Sequence, residues 1–264
     1  MFHNIEKMPL KDMDPSLLTL AIIDAVEKME YVHKEAVVYA ISVASYLHRK
    51  QRRKNRKEMP LTFYIEHPLR NAMRAIRMGV VDQDIIIGII LHDTVEDCVD
   101  EIVAETKTVG VSTHDEALKR QIALGWFQRN FGREVAFMVR ELSNPIPAPG
   151  VVLTREESNA EYVSHASEAI RFQPKVFIGK LVDVIDNGSG LRHLNRPQDA
   201  PFKHRSAVKY RPLIDVFEEV LDDEDWGPEV TYYLSEKGVV MARKHLAETK
   251  TLLDEIIASP VPVG

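Results

Sequence analysis

The sequence contains a single cysteine, Cys98, among its 264 residues. One thiol cannot form an intramolecular disulfide, so a disulfide-stapled secreted scaffold is excluded and a reducing compartment is favoured. Long hydrophobic runs are also lacking, since the apolar stretch near the middle, Ile85 to Leu91, is far too short to span a bilayer. The first residues have no apolar core of signal-peptide length. We therefore expect a cytoplasmic protein without a membrane partner.

An excess of positive charge is lacking as well. The chain has 34 Lys and Arg residues against 40 Asp and Glu residues, a formal net charge of -6. This balance disfavours general nucleic-acid binding, which usually requires a net positive field. The charge is uneven, however, because positions 49–57 hold seven basic residues, so that -6 minus 7 leaves -13 elsewhere. The basic run is either a solvated helix end, a phosphate-binding segment or an RNA-binding patch.

Helical periodicity dominates the chain, and series of alternating strands, internal repeats and low-complexity segments are not found. The sequence therefore predicts an all-α fold class. Helices are expected over 16–30, 32–49, 114–128, 133–142, 155–171, 204–221 and 234–258. A further helix should start at Pro174 and stop at Asn187-Gly188, where Asn187 is either a helix cap or a binding residue.

Two central helices carry more specific expectations. Pro68 suits the first turn of a helix that ends at Gly79, with Arg70, Arg74 and Arg77 on its outer side. Asp82 is placed to cap the next helix, whose IIIGIIL segment is apolar on all sides. A helix of that kind is predicted to lie in the core.

The segment LHDTVED, residues 91–97, places ionisable side chains at the end of this apolar helix. If the helix continued, His92 would face Glu96 and Asp93 would face Asp97, because residues four apart share a face. Unpaired burial of such groups is costly, so they need solvent, partners or a metal ion. A hydrated polar turn and a metal site are thus the two alternatives.

Three segments in order resemble the motifs of a known family. They are Tyr64-Ile65-Glu66-His67-Pro68-Leu69, the LHDTVED segment, and Lys180-Leu181-Val182-Asp183 with Asn187 four residues further on. Together they are similar to the motifs of HD-domain metal-dependent phosphohydrolases of the RelA/SpoT type. The layout looks most like the small stand-alone alarmone hydrolases, including the metazoan SpoT homologue, which remove the 3′-pyrophosphate of (p)ppGpp.

The resemblance implies a role for each matching residue. His67, His92, Asp93 and Asp183 match ligands of one manganese ion, whose nitrogen and oxygen donors suit a divalent transition metal. Glu96 and Asp97 match the catalytic acidic pair that acts on water and the leaving pyrophosphate. Arg53, Lys54 and Asn187 match residues that bind the nucleotide.

The resemblance also implies an architecture, an HD-domain helical bundle. We expect an N-terminal extension at 1–31, the hydrolase core at 32–195 and a C-terminal helical extension at 196–264 that packs on the core. The expected partner is a small-molecule nucleotide substrate, and a homo-oligomer is left open. The leading function is manganese-dependent hydrolysis of (p)ppGpp to GDP or GTP and pyrophosphate. The alternatives are a related phosphohydrolase that acts on another nucleotide, and a non-catalytic alarmone-binding regulator.

Overall fold

A computed structural model describes residues 5, 8–54, 61–106, 115–146, 151 and 153–259. These ranges are mostly helical, which confirms the predicted all-α fold class. The helices are α1 (Pro15–Val26), α2 (Lys34–Leu47), α3 (Glu66–Arg77), α4 (Gln83–Leu91), α5 (Thr94–Asp97), α6 (Val99–Glu105), α7 (Glu116–Phe131), α8 (Arg133–Leu142), α9 (Arg155–Phe172), α10 (Pro174–Gly190), α11 (Ala200–Asp222) and α12 (Trp226–Ala258). Two short strands that the sequence patterns did not predict, β1 (Arg52–Arg53) and β2 (Thr62–Phe63), form a two-stranded sheet.

The chain divides into two compact units. The first comprises Met1–Gln51, Phe63–Ile76 and Val80–Val152, and the second comprises Arg52–Thr62, Arg77–Gly79 and Leu153–Gly264. The division into 1–31, 32–195 and 196–264 that we drew from the motifs stays a prediction. None of the described helices combines the length and hydropathy that a membrane crossing requires.

Helix α4 lies in the core of the first unit, as its composition predicts. Every residue from Ile85 to Leu91 is buried, and α4 packs against α2 and α8. The helix starts at the expected cap, because the Asp82 carboxylate accepts a hydrogen bond from the backbone N–H of Ile85 at 3.0 Å. Burial on all sides explains why this segment has no polar face.

The prediction for the outer side of α3 is wrong for Arg70 and Arg74, and Arg77 is half-buried. Arg70 and Arg74 are buried rather than solvent-exposed. Arg70 Nη1 donates to Glu66 Oε2 at 3.2 Å, and Arg74 Nη1 donates to Asn71 Oδ1 at 3.1 Å. Glu66 compensates the charge of Arg70, and Asn71 gives the Arg74 guanidinium a hydrogen-bond acceptor, as buried polar groups require.

Helix α10 packs against α9, α11 and α12 in the second unit. The expected stop at Asn187-Gly188 is wrong, because α10 continues to Gly190. The glycine serves a different purpose, since a Cβ atom at Gly188 would lie 2.7 Å from Cγ2 of Thr249 on α12. Close approach of two helices, rather than helix termination, explains the glycine.

Helix α12 is interrupted at Ser235, whose φ of 64° lies in the left-handed region. The Ser235 hydroxyl accepts a hydrogen bond from the backbone N–H of Gly238 at 3.2 Å, as a helix cap does. The second part of α12 therefore starts close to residue 234, where the periodicity predicted a helix start.

Candidate metal centre

Three of the predicted metal ligands lie together in the first unit. His67 is in the first turn of α3, and His92 and Asp93 occupy the break between α4 and α5. One donor atom from each of the three lies within 4.8 Å of the others. Both histidines are buried, and Asp93 is partly exposed. We refer to these three residues as the His-His-Asp cluster.

Backbone contacts fix the orientation of His92. Its Nδ1 lies 2.8 Å from the carbonyl oxygen of Ile89. A carbonyl oxygen only accepts, so Nδ1 carries the proton and donates it, which leaves a lone pair on Nε2. His92 Nε2 lies 3.1 Å from Asp93 Oδ2, and His67 Nε2 lies 3.6 Å from the same oxygen. The lone pair of His92 is therefore available beside a carboxylate.

Tyr64 holds the Asp93 carboxylate from the other side. Its hydroxyl donates to Asp93 Oδ2 at 2.8 Å, and its ring stacks on His48 with centroids 4.7 Å apart. Tyr64 opens the first of the three motif segments, but the family resemblance implied no role for it. Its position three residues before His67 was the available signal, because one turn of backbone places both side chains near the same site.

The donor set of the cluster fits a divalent ion. Two imidazole nitrogens and one carboxylate oxygen are ordinary ligands for zinc, manganese or iron. The hydrogen bond from His92 Nδ1 to a carbonyl is the usual outer contact of a ligating histidine. Near-complete burial of the two imidazoles also limits competition from bulk water.

Glu96 does not face His92 as a continuous helix would require. Helix α4 ends at Leu91, and the short helix α5 starts only at Thr94. The Glu96 carboxylate instead accepts two hydrogen bonds from Asn144, one from the backbone N–H at 3.0 Å and one from Nδ2 at 2.8 Å. This contact was missed because Asn144 follows α8 in a proline-rich segment 48 residues away.

Asp97 carries an unusual protonation equilibrium. Its side chain reaches the surface, but its carboxyl group is partly covered. This burial raises the pKa of Asp97 to about 6, and the negative charges of Asp93 and Glu96 act in the same direction. A carboxyl group of this kind exchanges its proton near neutral pH.

Cys98 is a buried free thiol that packs against a histidine. Its Sγ lies 3.7 Å from Nδ1 of the buried His48. Burial raises the pKa of Cys98 to about 12 and lowers the pKa of His48. Neither group is therefore charged at neutral pH, and the pair does not provide a thiolate nucleophile.

The remaining predicted residues belong to the second unit. Asn187 Nδ2 donates to Asp183 Oδ1 at 2.8 Å, and Arg53 Nη2 donates to Asn187 Oδ1. Lys54 Nζ donates to Asp199 Oδ1 at 3.3 Å. Arg53 and Asp183 are thus joined through Asn187, whereas the role of Asp183 as a metal ligand stays a prediction. Arg56 and Lys57 of the basic run lie outside the described residues.

A mostly helical fold in which a buried histidine lies beside a His-Asp dipeptide is typical of HD-type phosphohydrolases. The chain is 30% identical over 158 residues to mouse (Mus musculus) guanosine-3′,5′-bis(diphosphate) 3′-pyrophosphohydrolase MESH1. The matched segment covers 60% of this chain and 68% of the relative. The chain therefore belongs to the family of this pyrophosphohydrolase.

Two further comparisons add less. A solved structure described as a metazoan ortholog of SpoT that hydrolyzes ppGpp is 18% identical, with a TM-score of 0.44 over 84% of this chain and 93% of its own. No family model matches the chain. The family assignment rests on the mouse relative.

Proposed function

We propose that this protein removes the 3′-pyrophosphate of (p)ppGpp and releases GDP or GTP and pyrophosphate, with manganese as its ion. The observation that carries the proposal is the His-His-Asp cluster, whose two histidines are buried. It occurs in a chain that is 30% identical to an enzyme named for this reaction. Imidazole nitrogen together with carboxylate oxygen is a donor set that manganese accepts.

A bound divalent ion would supply Lewis-acid polarisation of the phosphoryl group and of water. The chain itself prepares the ligands. The Ile89 carbonyl fixes which nitrogen of His92 carries the proton, and the Tyr64 hydroxyl fixes the rotation of the Asp93 carboxylate. Ligands held in this way need little reorganisation when the ion binds.

Asp97 is the proton acceptor in this proposal. Water attacks the phosphorus attached to the 3′ oxygen, and the bond between that phosphorus and the 3′ oxygen breaks. Asp97 accepts the proton that the water loses and returns it to the 3′ oxygen, so that the nucleotide regains its 3′ hydroxyl and pyrophosphate departs. A pKa of about 6 leaves most Asp97 side chains ionised and ready to accept at pH 7. Glu96, held by Asn144, maintains negative charge beside Asp97.

Arg53, Lys54 and Asn187 are the proposed contacts for the nucleotide and its phosphates. Each already has a polar partner within the second unit: Arg53 contacts Asn187, and Lys54 contacts Asp199. Phosphate oxygens offer stronger, charge-assisted acceptors for the guanidinium and ammonium groups. Asp183 is the proposed fourth metal ligand, on the strength of the motif resemblance alone.

The test is a panel of phosphorylated nucleotides incubated with the purified full chain and manganese. We expect pyrophosphate and GDP from ppGpp, and we expect Asp93→Ala to lose both metal binding and turnover. The matched control is Asp24→Ala, which removes an exposed carboxylate paired with Lys28 and should retain full turnover.

Other outcomes point to other functions. Orthophosphate released from a different nucleotide would indicate another phosphohydrolase of the same type. Binding of ppGpp without turnover would indicate a non-catalytic regulator. Unchanged turnover in Asp93→Ala would contradict the metal site itself.

A further inference from the structure

A cavity in the second unit shares none of the predicted site residues. It lies between the start of α11 and the end of α12 and has a volume of about 520 Å³. Sites for small molecules commonly measure roughly 300–1,000 Å³. The cavity is therefore large enough for a nucleotide-sized ligand.

One wall of this cavity is cationic. Arg196 precedes α11, and Lys203 and His204 lie in its first turns. Among the described residues, the side chains of Lys203 and His204 form no hydrogen bond or ion pair. Their donors are available to an anion, and phosphate is the common biological anion that several such donors bind together.

The part of the cavity formed by α12 has a different character. Leu252 and Ile256 provide apolar surface, and the exposed carboxylate of Glu255 lies beside them. Apolar side chains suit a flat ring, and a carboxylate accepts hydrogen bonds from the N–H groups at the edge of a nucleobase. A phosphate at one end and a base at the other would match both walls.

We propose that this cavity binds a nucleoside diphosphate, with its phosphates on Lys203 and His204 and its base on the Glu255 wall. The diphosphate lies on the side of Lys203 and His204, and the single exposed carboxylate of Glu255 faces the base instead. Binding of the nucleoside diphosphate in this cavity does not depend on enzymatic activity.

Asp199 connects the cavity to a residue of the proposed substrate site. Arg196 Nε donates to Asp199 Oδ2 at 2.8 Å, and Lys54 Nζ donates to Asp199 Oδ1 at 3.3 Å. The Asp199 side chain is only 1% exposed. Its cover comes from these two side chains close to the surface rather than from a deep position in the unit. The hydrogen bond from Arg196, with that from Lys54, holds the pKa of Asp199 below its ordinary value.

This shared carboxylate gives the cavity a regulatory effect that rests on the proposed function. A ligand phosphate beside Arg196 competes with Asp199 for the guanidinium. Asp199 then pairs more strongly with Lys54, and Lys54 becomes less available to the substrate. Occupancy of the cavity therefore raises the KM for ppGpp and leaves kcat unchanged.

The binding test uses GDP and the metal-free full chain in EDTA, with calorimetry as the readout. We expect the double variant Lys203→Ala, His204→Ala to weaken one class of GDP sites by about tenfold or more. The control variant Lys237→Ala removes an exposed charge elsewhere, on α12, and should change the affinity by less than about twofold. Equal GDP affinity in the double variant and the wild type would overturn the proposal.

Two further measurements separate the parts of the ligand. Glu255→Gln should weaken the binding of GDP but not the binding of inorganic pyrophosphate. It also provides a second test of the cavity if the double variant loses its helical circular dichroism signal. Pyrophosphate that binds as tightly as GDP would overturn the nucleoside part of the proposal.

The regulatory effect is measured separately. With ppGpp as substrate, GDP should raise KM in the wild type by about fivefold more than in the double variant. An identical GDP effect in both proteins would show simple competition at the substrate site and overturn the coupling. Absence of turnover without GDP would contradict the proposed function alone, because the calorimetric result does not depend on turnover.

Discussion

Asp93 Oδ2 is the atom on which the contacts of the His-His-Asp cluster converge. It accepts a hydrogen bond from Tyr64 at 2.8 Å and lies 3.1 and 3.6 Å from the Nε2 atoms of His92 and His67. A carboxylate held by a neutral hydroxyl keeps its negative charge and loses rotational freedom. Tyr64 therefore acts as a positioning residue for a ligand.

Tyr64→Phe should weaken manganese binding by about 10–100-fold, the usual cost of removing an outer contact to a ligand. The phenyl ring retains the stacking on His48, so only the hydroxyl is lost. Calorimetry with manganese and the purified chain measures this without any turnover. Tyr46→Phe is the control, because it removes a hydroxyl that contacts exposed Glu105 instead, and its affinity should match the wild type. Equal affinities for all three proteins would contradict the role of Tyr64.

At the scale of elements, the interruption of α12 brings two backbones into contact within the second unit. A Cβ atom at Gly238 would lie 1.8 Å from the carbonyl oxygen of Met78, and one at Gly79 would lie 2.6 Å from the carbonyl oxygen of Leu234. Backbone atoms cannot rotate away as side chains do. The glycines therefore permit an approach that no other residue allows.

Gly238→Ala should lower the free energy of unfolding by about 1–3 kcal/mol or more, because the added methyl group forces α12 away from Met78. Chemical denaturation followed by circular dichroism measures the change. Gly125→Ala is a matched control in α7, where the added Cβ would meet only Arg129 Nη1 at 3.6 Å. Helix propensity then favours alanine, and we expect stability to be unchanged or higher by up to about 1 kcal/mol. Equal destabilisation by both variants would contradict the close contact.

Element positions followed from the sequence where the deciding interactions are local. Asp82 and the apolar run after it predicted α4, because a cap and uniform hydrophobicity act within one segment. Periodicity places a charged residue such as Arg70 on the solvent side of a helix. It does not show that Glu66, one turn earlier, neutralises Arg70 inside the protein. Continuation of α10 past Gly188 depends on Thr249, 61 residues later, and a local pattern contains no such information.

The candidate site shows the same difference between local and long-range interactions. Motif order identified His67, His92 and Asp93, and the structure brings their donor atoms together. Glu96 was misplaced because its partner Asn144 follows a different helix. The position of Glu96 thus depends on a contact between segments far apart in sequence, which motif spacing does not contain.

At the scale of the whole molecule, the predicted site residues are divided between the two compact units. His67, His92 and Asp93 belong to the first unit, and Asp183 and Asn187 belong to the second. An ion that binds only the native ligand arrangement stabilises the folded chain by mass action. The expected gain is about 2.7 kcal/mol at an ion concentration of about 100 times Kd. Thermal unfolding therefore measures whether the ion binds and which of the proposed ligands this binding needs.

Manganese should raise the Tm of the wild type, and His92→Ala should abolish the increase because it removes a buried donor of the cluster. Asp183→Asn tests the second unit: a carboxamide is a weaker ligand than a carboxylate, so we expect it to lose most of the increase. Asp222→Asn is the control, since it alters an exposed carboxylate that pairs with Arg243 and should retain the full increase. A full increase in Asp183→Asn would mean that the first unit holds the ion without Asp183, and its hydrogen bond with Asn187 would then be purely structural.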